Sequence, residues 1–143
     1  NENYREANSL DNLILLCRRC HHRTEASQET PTALGGLSYA LTNLAPFHLM
    51  CDPNDIRAIA ELRGKETGSP TITIFDGIPG GIGLSKRLYE MGSELIEGVR
   101  VMTSACPCTH GCPACVGPVV AHKDKSKSPS LKELTIRLAG ELS

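Results

Sequence analysis

Residues 105–118 read ACPCTHGCPACVGP and place four cysteines within ten positions. Their spacing is C-x-C-x3-C-x2-C, and the ligand candidates are Cys106, Cys108, Cys112 and Cys115. Structural zinc is bound by four ligands at the corners of a tetrahedron, and cysteine thiolates are typical of such sites. One loop can supply all four when Pro and Gly residues turn its backbone back on itself. The spacing therefore predicts a metal site within this loop, with zinc as the ion.

The sequence alone leaves other states of these thiols open: free reduced thiols, a disulfide pair or an iron–sulfur cluster. The chain has seven cysteines, which is an odd number, and most of them are clustered. This distribution argues against the disulfide framework of a secreted domain and favours metal binding in a reducing compartment. We therefore expect Zn²⁺ as the cofactor and a cytoplasmic protein. His110 is a spare ligand candidate within the loop, but we interpret it as a loop residue.

Composition limits the functional classes. A chain of 143 residues is large enough to form one domain with a hydrophobic core and no disulfide bonds. It contains no apolar run that would span a membrane and no leader pattern, so we expect no membrane partner. The formal net charge is −1, so any contact with nucleic acid must be local. With three Tyr, two Phe and no Trp, a platform for stacking bases is not apparent.

Hydrophobic periodicity predicts an α/β fold: a small mixed sheet with packed helices and the four-cysteine zinc loop. A helix is expected from Pro31, because apolar residues then recur at spacings of three and four. The β-branched segment 71–75 (TITIF) predicts a buried strand, and 99–105 (VRVMTSA) is a second candidate strand leading to the cysteine loop. Segments 10–17 and 52–70 are compatible with either a strand or a short helix.

Two further helices are expected. The glycine-rich turn DGIPGGIG (76–83) follows the TITIF strand, and apolar residues from Leu84 to Ile96 then recur at helical spacing. Near the end of the chain, Ser130 and Glu133 form a capping-box pattern that predicts the start of the last helix.

The turn DGIPGGIG has three interpretations. A strand, glycines and a helix N-terminus are the parts of a dinucleotide site, but Lys86 stands where the fingerprint requires Gly or Ala. Asp76 would also repel an anion. We favour a structural role, in which the glycines permit positive φ angles and close packing. The third interpretation is contact with a DNA phosphate, aided by Lys86 and Arg87.

Two motifs together carry a family resemblance. IFDGIPGGIGL (74–84), followed by CPCTHGCPACVGP (106–118), resembles the zinc-binding C-terminal domain of mitomycin-repair-type DEAD/DEAH-box helicases. The segment 33–56 resembles the helix that precedes these motifs, so the resemblance covers roughly residues 31 to 140. It implies that the four cysteines of the loop are zinc ligands. It also implies that the domain accompanies an ATP-driven motor that acts on DNA during damage repair.

This resemblance sets the expected organisation and function. Residues 31–143 are expected to form the helicase-associated zinc-binding domain, and residues 1–30 a separate segment. The chain contains no G-x-x-x-x-G-K-[ST] motif, so it is not expected to hydrolyse ATP or to be catalytic on its own. The expected partners are the helicase motor domains of a parent protein and the DNA phosphate backbone. An alternative is a zinc-stabilised protein–protein interaction module without DNA contact.

The N-terminal segment NLILLCRRCHHRTE (12–25) resembles the closing half of an HNH nuclease motif. Asn12, the Cys17-x-x-Cys20 pair and His21 are the matched positions, so an HNH-type metal-dependent nuclease module fused to this domain is an alternative function. The family's leading His and first C-x-x-C are absent from residues 1–11, and we expect that they precede Asn1 or never existed. Cys17, Cys20 and His21 are also candidates for a second zinc site. The alternative is that the two cysteines are ordinary thiols in a turn.

Several cations are candidates for phosphate contacts, and each such contact would make DNA binding more sensitive to salt. The alternative is that they are solvated surface charges. The DNA-contact candidates are Lys86, Arg87, Lys123, Lys125 and Lys127.

Overall fold

The computed structural model describes residues 13–15, 29–118 and 129–143. The elements in chain order are β1 (Leu13–Leu15), α1 (Glu29–Leu49), a 3-10 turn (Pro53–Asp55), β2 (Ile56–Glu61), β3 (Thr71–Asp76), α2 (Leu84–Glu90), α3 (Gly92–Ala105) and α4 (Leu131–Leu142). The α/β class with packed helices and a four-cysteine loop is confirmed. None of these helices is long and apolar enough to cross a membrane.

The described strands form one antiparallel sheet in the order β1-β3-β2. Ala58 of β2 lies opposite Ile74, and Ala60 lies opposite Ile72. Ile56, Ile72 and Ile74 are all almost fully buried, because alternate residues of β2 and β3 face the core. The TITIF strand is therefore confirmed, and segment 56–61 proves to be a strand rather than a helix.

Helix α1 is the centre of the core. It contacts β2, α3 and α4, and its apolar residues Leu34, Leu37 and Leu41 are fully or almost fully buried at the expected spacing. Gly36 allows the close approach of α4: a Cβ at this position would lie 2.2 Å from the Thr135 side-chain oxygen. The helix predicted from Pro31 is thus confirmed.

The predicted second strand at 99–105 was wrong. These residues form the second half of α3, which contacts α1 and α4. Leu95, Val99 and Thr103 are fully buried at spacings of four, so one helical stripe carries the packing. The continuous helix expected over 84–96 is divided into α2 and α3 at Met91, immediately before Gly92.

Helix α4 begins where the capping box predicts. The Glu133 backbone N–H donates to Ser130 Oγ at 3.2 Å, and the Ser130 N–H donates to Glu133 Oε2 at 2.7 Å. Leu134, Leu138 and Ala139 bury one face of this helix against α1 and α3. This docking brings the N-terminus of α4 next to the cysteine loop.

Candidate metal centre

The four loop cysteines converge on one point. The sulfur–sulfur distances are 3.6 Å between Cys106 and Cys112, 3.5 Å between Cys108 and Cys115, and 3.6 Å between Cys112 and Cys115. All four sulfurs lie within 4.8 Å of one another. Thiolates at 2.3 Å from a tetrahedral zinc ion would be roughly 3.8 Å apart. These sulfurs are too far apart for disulfide bonds and are positioned for a metal ion.

A tight turn produces the C-x2-C half of this centre. The Cys112 carbonyl oxygen accepts hydrogen bonds from the backbone N–H groups of Cys115, Val116 and Gly117, at 3.0, 3.2 and 3.1 Å. Gly111 and Gly117 have φ angles of 117° and 100°, which are strained for residues with a Cβ. The backbone therefore folds back over Cys112, as the Gly and Pro residues of the loop predicted.

The two ends of the loop are fixed in different ways. Helix α3 presents the first ligand, because the Cys106 N–H donates to the Met102 carbonyl at 3.2 Å and so extends the last turn. At the other end, Cys115 and Val116 are almost fully buried. The loop is thus held by a helix end on one side and by the core on the other.

Two side chains from distant elements hold the loop backbone. Lys132, in the first turn of α4, donates from Nζ to the Cys106 carbonyl at 2.6 Å and to the Cys108 carbonyl at 2.8 Å. The Tyr39 hydroxyl of α1 donates to the Pro113 carbonyl at 2.7 Å. Neither residue was predicted from the sequence to contact the loop. One sequence feature could have drawn attention to Lys132, because a cation is unfavourable in the first turn of a helix. No sequence feature indicated Tyr39.

The thiols differ in their electrostatic environment. Burial raises the pKa of the Cys115 thiol to about 12. The backbone N–H of Cys108 lowers the pKa of Cys106 to about 7. Burial also raises the pKa of Cys108. Four neighbouring thiols do not all ionise without a cation, whereas a bound metal deprotonates its thiol ligands. The centre is therefore suited to a soft divalent cation.

The glycine-rich turn holds its own anion. The Asp76 carboxylate accepts hydrogen bonds from the backbone N–H groups of Ile82, Gly83 and Ser85 at 2.6, 2.9 and 2.7 Å. Burial alone would raise the pKa of Asp76, but hydrogen bonds from Ser85, Ile82 and Leu84 outweigh it and hold that pKa below its usual value. The N–H groups that a phosphate would need are already used. This arrangement supports the structural interpretation of the glycines and argues against a nucleotide site.

The remaining predicted residues are not brought to the metal centre. Lys86 and Arg87 are exposed on the first turn of α2. Cys51 is half-buried against the core and lies outside the four-sulfur cluster. His110 is exposed, with its ring Nδ1 2.7 Å from Thr109 Oγ1.

Other candidates lie outside the described residues. This applies to the possible second site and the HNH resemblance, which therefore stay predictions, and to the lysines after the cysteine loop. The residues concerned are Asn12, Cys17, Cys20, His21, Lys123, Lys125 and Lys127.

The sequence also matches a known family. The profile of the MrfA Zn-binding domain, abbreviated MZB, matches residues 37–116. This range is more than half of the chain and includes all four clustered cysteines. The chain belongs to this family. The resemblance to the zinc-binding domain of mitomycin-repair-type helicases is therefore confirmed.

Individual proteins with MZB-like segments are much longer than this chain. The chain is 38% identical over 82 residues to "Uncharacterized ATP-dependent helicase YprA" of Bacillus subtilis (strain 168), which covers 57% of this chain and 11% of YprA. The fold is similar to that of DUF1998 helicase MrfA bound to DNA, with a TM-score of 0.72, 30% identity, and coverage of 84% of this chain and 16% of MrfA. A second MrfA structure, bound to DNA and AMPPNP, gives a TM-score of 0.65 at 33% identity over 77% of this chain and 14% of MrfA. The MZB chain therefore corresponds to a small part of these helicases.

Proposed function

We propose that this MZB chain is a C-terminal zinc-binding accessory domain of an ATP-dependent DNA helicase. In this proposal the domain docks on the helicase motor and guides DNA past it, as part of DNA repair. The observation that carries the proposal is the convergence of four cysteine sulfurs within 4.8 Å in a chain of the MZB family.

The four thiolates are proposed as the ligands of one structural zinc ion. When bound, zinc supplies four bonds that cross-link the loop, and a site with four protein ligands has no open position for substrate. Cys106 would connect the ion to the end of α3, and Cys115 would connect it to the core. The proposed role of the metal is thus to hold the loop between α1, α3 and α4.

The zinc proposal is tested by elemental analysis of the purified chain. We expect the four-cysteine loop to bind one zinc ion per chain, and Cys112→Ser to lose that ion. Cys51→Ser is the matched control, because Cys51 lies outside the cluster and should leave the metal content unchanged. Absence of zinc from the wild-type chain would refute the proposal. A second zinc that disappears in Cys17→Ser would assign the N-terminal segment to a separate metal site.

Two exposed apolar side chains support docking against another part of a longer protein. Phe47 and Met50, at the C-terminal end of α1, are 78% and 90% exposed. Met50 has a φ of 55°, and Cys51 N–H donates to the Pro46 carbonyl at 3.2 Å, which is a helix-ending motif that usually places glycine at this position. An apolar residue in this strained and exposed position is more typical of a contact site than of free surface.

The motor of a parent helicase is the proposed occupant of this surface, because relatives of the MZB chain are several times longer and the chain itself has no nucleotide-binding motif. The test is to mix the purified domain with the parent helicase lacking it. We expect a complex that Phe47→Ser with Met50→Ser weakens and that Val101→Ser, which alters an exposed apolar residue of α3, does not. Equal affinity of the wild-type and double variants would exclude this surface.

The zinc-stabilised protein–protein module remains the second candidate, and the same exposed pair favours it. It differs from the first proposal only in DNA contact. Binding to the motor without any measurable binding to DNA, alone or in the complex, would favour the second candidate.

A further inference from the structure

Lys132 has an unusual environment for a lysine. Its Nζ donates to two carbonyl oxygens, those of Cys106 and Cys108, and its backbone N–H donates to the His110 carbonyl at 3.2 Å. The side chain is half-buried. Among the described residues, the two cysteine carbonyls are the only hydrogen-bond acceptors of this ammonium, and it has no carboxylate partner.

This position is unfavourable unless something negative faces it. Lys132 lies in the first turn of α4, where the partial positive charge of the helix N-terminus repels a cation. Fixing a long lysine side chain also costs conformational entropy. The other lysines of the described residues, Lys65 and Lys86, are exposed and so avoid the entropy cost, although Lys86 also lies in the first turn of a helix.

A zinc ion with four thiolate ligands supplies the missing negative charge, because the centre then carries a net charge of −2. The ammonium of Lys132 presents positive charge to the backbone of the first two ligands, and the Lys132 N–H at the N-terminus of α4 donates to the His110 carbonyl between the second and third ligands. A hydrogen bond with a charged donor is also stronger than one between neutral groups. A zinc-loaded centre would therefore offset the unfavourable position of Lys132.

We propose that Lys132 is a positioning residue of this metal centre. It orients Cys106 and Cys108 through their carbonyls, offsets the charge of the zinc tetrathiolate, and couples the docking of α4 to metal binding. The inference rests on the proposed zinc site, and it goes beyond that site by assigning a residue from the last helix to it.

The test measures zinc affinity by competition with a chromophoric chelator, using Lys132→Met, Lys132→Gln and Lys132→Arg. Removal of a hydrogen-bonding partner of a metal ligand typically lowers metal affinity by about 10–100-fold. We expect a loss in this range for Met, a smaller loss for Gln, which retains donors without charge, and the smallest loss for Arg. Lys86→Met is the matched control and should retain wild-type affinity, because Lys86 is exposed on α2.

Amide hydrogen exchange provides the second readout. In wild-type protein, zinc removal should speed exchange in the first turns of α4, and Lys132→Met should show the same fast exchange with zinc still bound. If Lys132→Met does not fold, the comparison of Gln with Arg decides the role of the charge.

Wild-type zinc affinity in both Lys132→Gln and Lys132→Met, or in Gln alone if Met does not fold, would overturn the inference while leaving the zinc site intact. A wild-type chain that binds no zinc would refute the proposed function instead.

Discussion

The four-cysteine loop and the glycine-rich turn both contain Gly and Pro, but they differ in where the partner of their converging groups comes from. Both follow a regular element, both use Gly and Pro, and both have residues with positive φ. The glycine-rich turn is closed from within, because the Asp76 carboxylate accepts the N–H groups at the start of α2. The cysteine loop instead brings together four ligands of the same kind, which are positioned to hold a cation at their centre.

This difference shows what decides whether a glycine-rich loop binds a ligand. N–H groups directed at one point create an anion site only when no side chain of the protein occupies that point. In the glycine-rich turn an aspartate occupies it. The four sulfurs, by contrast, do not neutralise one another, so their convergence predicts a metal.

The largest expected effect comes from removing the metal. Cys112→Ser, or chelation of zinc, should lower the free energy of unfolding by several kcal/mol, because a structural zinc contributes its binding energy to folding. We expect the segment 99–118 to unfold locally while the N–H groups bound by Asp76 stay protected from hydrogen exchange. Thermal unfolding in excess chelator measures the effect. An unchanged midpoint with zinc demonstrably removed would contradict it, and Cys51→Ser serves as the control.

Much of the fold could be predicted from the sequence, and the exceptions have a physical cause. Helix α1, the TITIF strand and the capping box of α4 each carry a local pattern that agrees with their tertiary packing. Residues 99–105 do not: Val99, Val101 and Thr103 are β-branched and alternate along the chain, which favours a strand. Packing of Leu95, Val99 and Thr103 against α1 and α4 overrides that preference.

The metal ligands could be predicted because four of them lie within ten residues. Lys132 and Tyr39 could not, because they reach the loop from 24 or more residues away and depend on how α4 and α1 dock. Asp76 was identified only as a residue that would repel an anion. Its actual role depends on the glycine-rich turn folding back over it by six to nine residues.

The second prediction concerns the hydrogen bonds of Asp76 in the glycine-rich turn. Asp76→Asn removes the charge that the N–H groups of α2 bind, and should lower the free energy of unfolding by about 1–2 kcal/mol, since water competes at this part-exposed site. Glu90→Gln, at the exposed end of the same helix, is the control. Zinc content should be unchanged in Asp76→Asn. A loss of zinc would show that the two loops are coupled and would break the comparison.

The same residue predicts a pH dependence. The pKa of Asp76 is lower in the folded chain than its usual value, so its stabilisation is fully present above the unfolded pKa, near 4. It is lost as the pH falls through the lower, folded pKa. Wild-type stability should therefore fall more steeply than that of Asp76→Asn below about pH 4. Parallel stability curves for the two proteins over this range would contradict the assignment.

The third prediction concerns a turn that uses no glycine. Gly80, Gly81 and Gly83 have positive φ without steric strain, whereas Met50 has a φ of 55° and a full side chain. Met50→Gly should raise the free energy of unfolding by about 1 kcal/mol, the approximate strain of a non-glycine residue in this region. The same change should weaken docking on the helicase motor. Met50→Ala, which keeps the strain but removes the apolar chain, should weaken docking without stabilising the protein.

The smallest effect is expected in DNA binding, and it would show which of the two loops lies nearer to DNA. Lys86 and Arg87 follow the glycine-rich turn and are exposed, while Lys123, Lys125 and Lys127 follow the cysteine loop in the sequence. We expect weak binding that tolerates any sequence, because scattered cations contact phosphates rather than base edges. The affinity should fall as the salt concentration rises. A plot of log K against log[salt] should have a slope of about −0.9 per neutralised phosphate on duplex DNA.

Replacing either set with Ala separates the two loops. Loss of all three lysines should flatten the salt slope by about one to three units, and loss of Lys86 with Arg87 by about one to two, if the respective side chains contact phosphate. Lys65→Ala, in the exposed connection between β2 and β3, removes a charge of the same sign as the control. Filter binding of the zinc-loaded chain at several salt concentrations measures these slopes. An equal change of the salt slope in all three variants would reflect net charge alone. Binding that does not depend on salt would leave the zinc-stabilised protein–protein module as the better description of this domain.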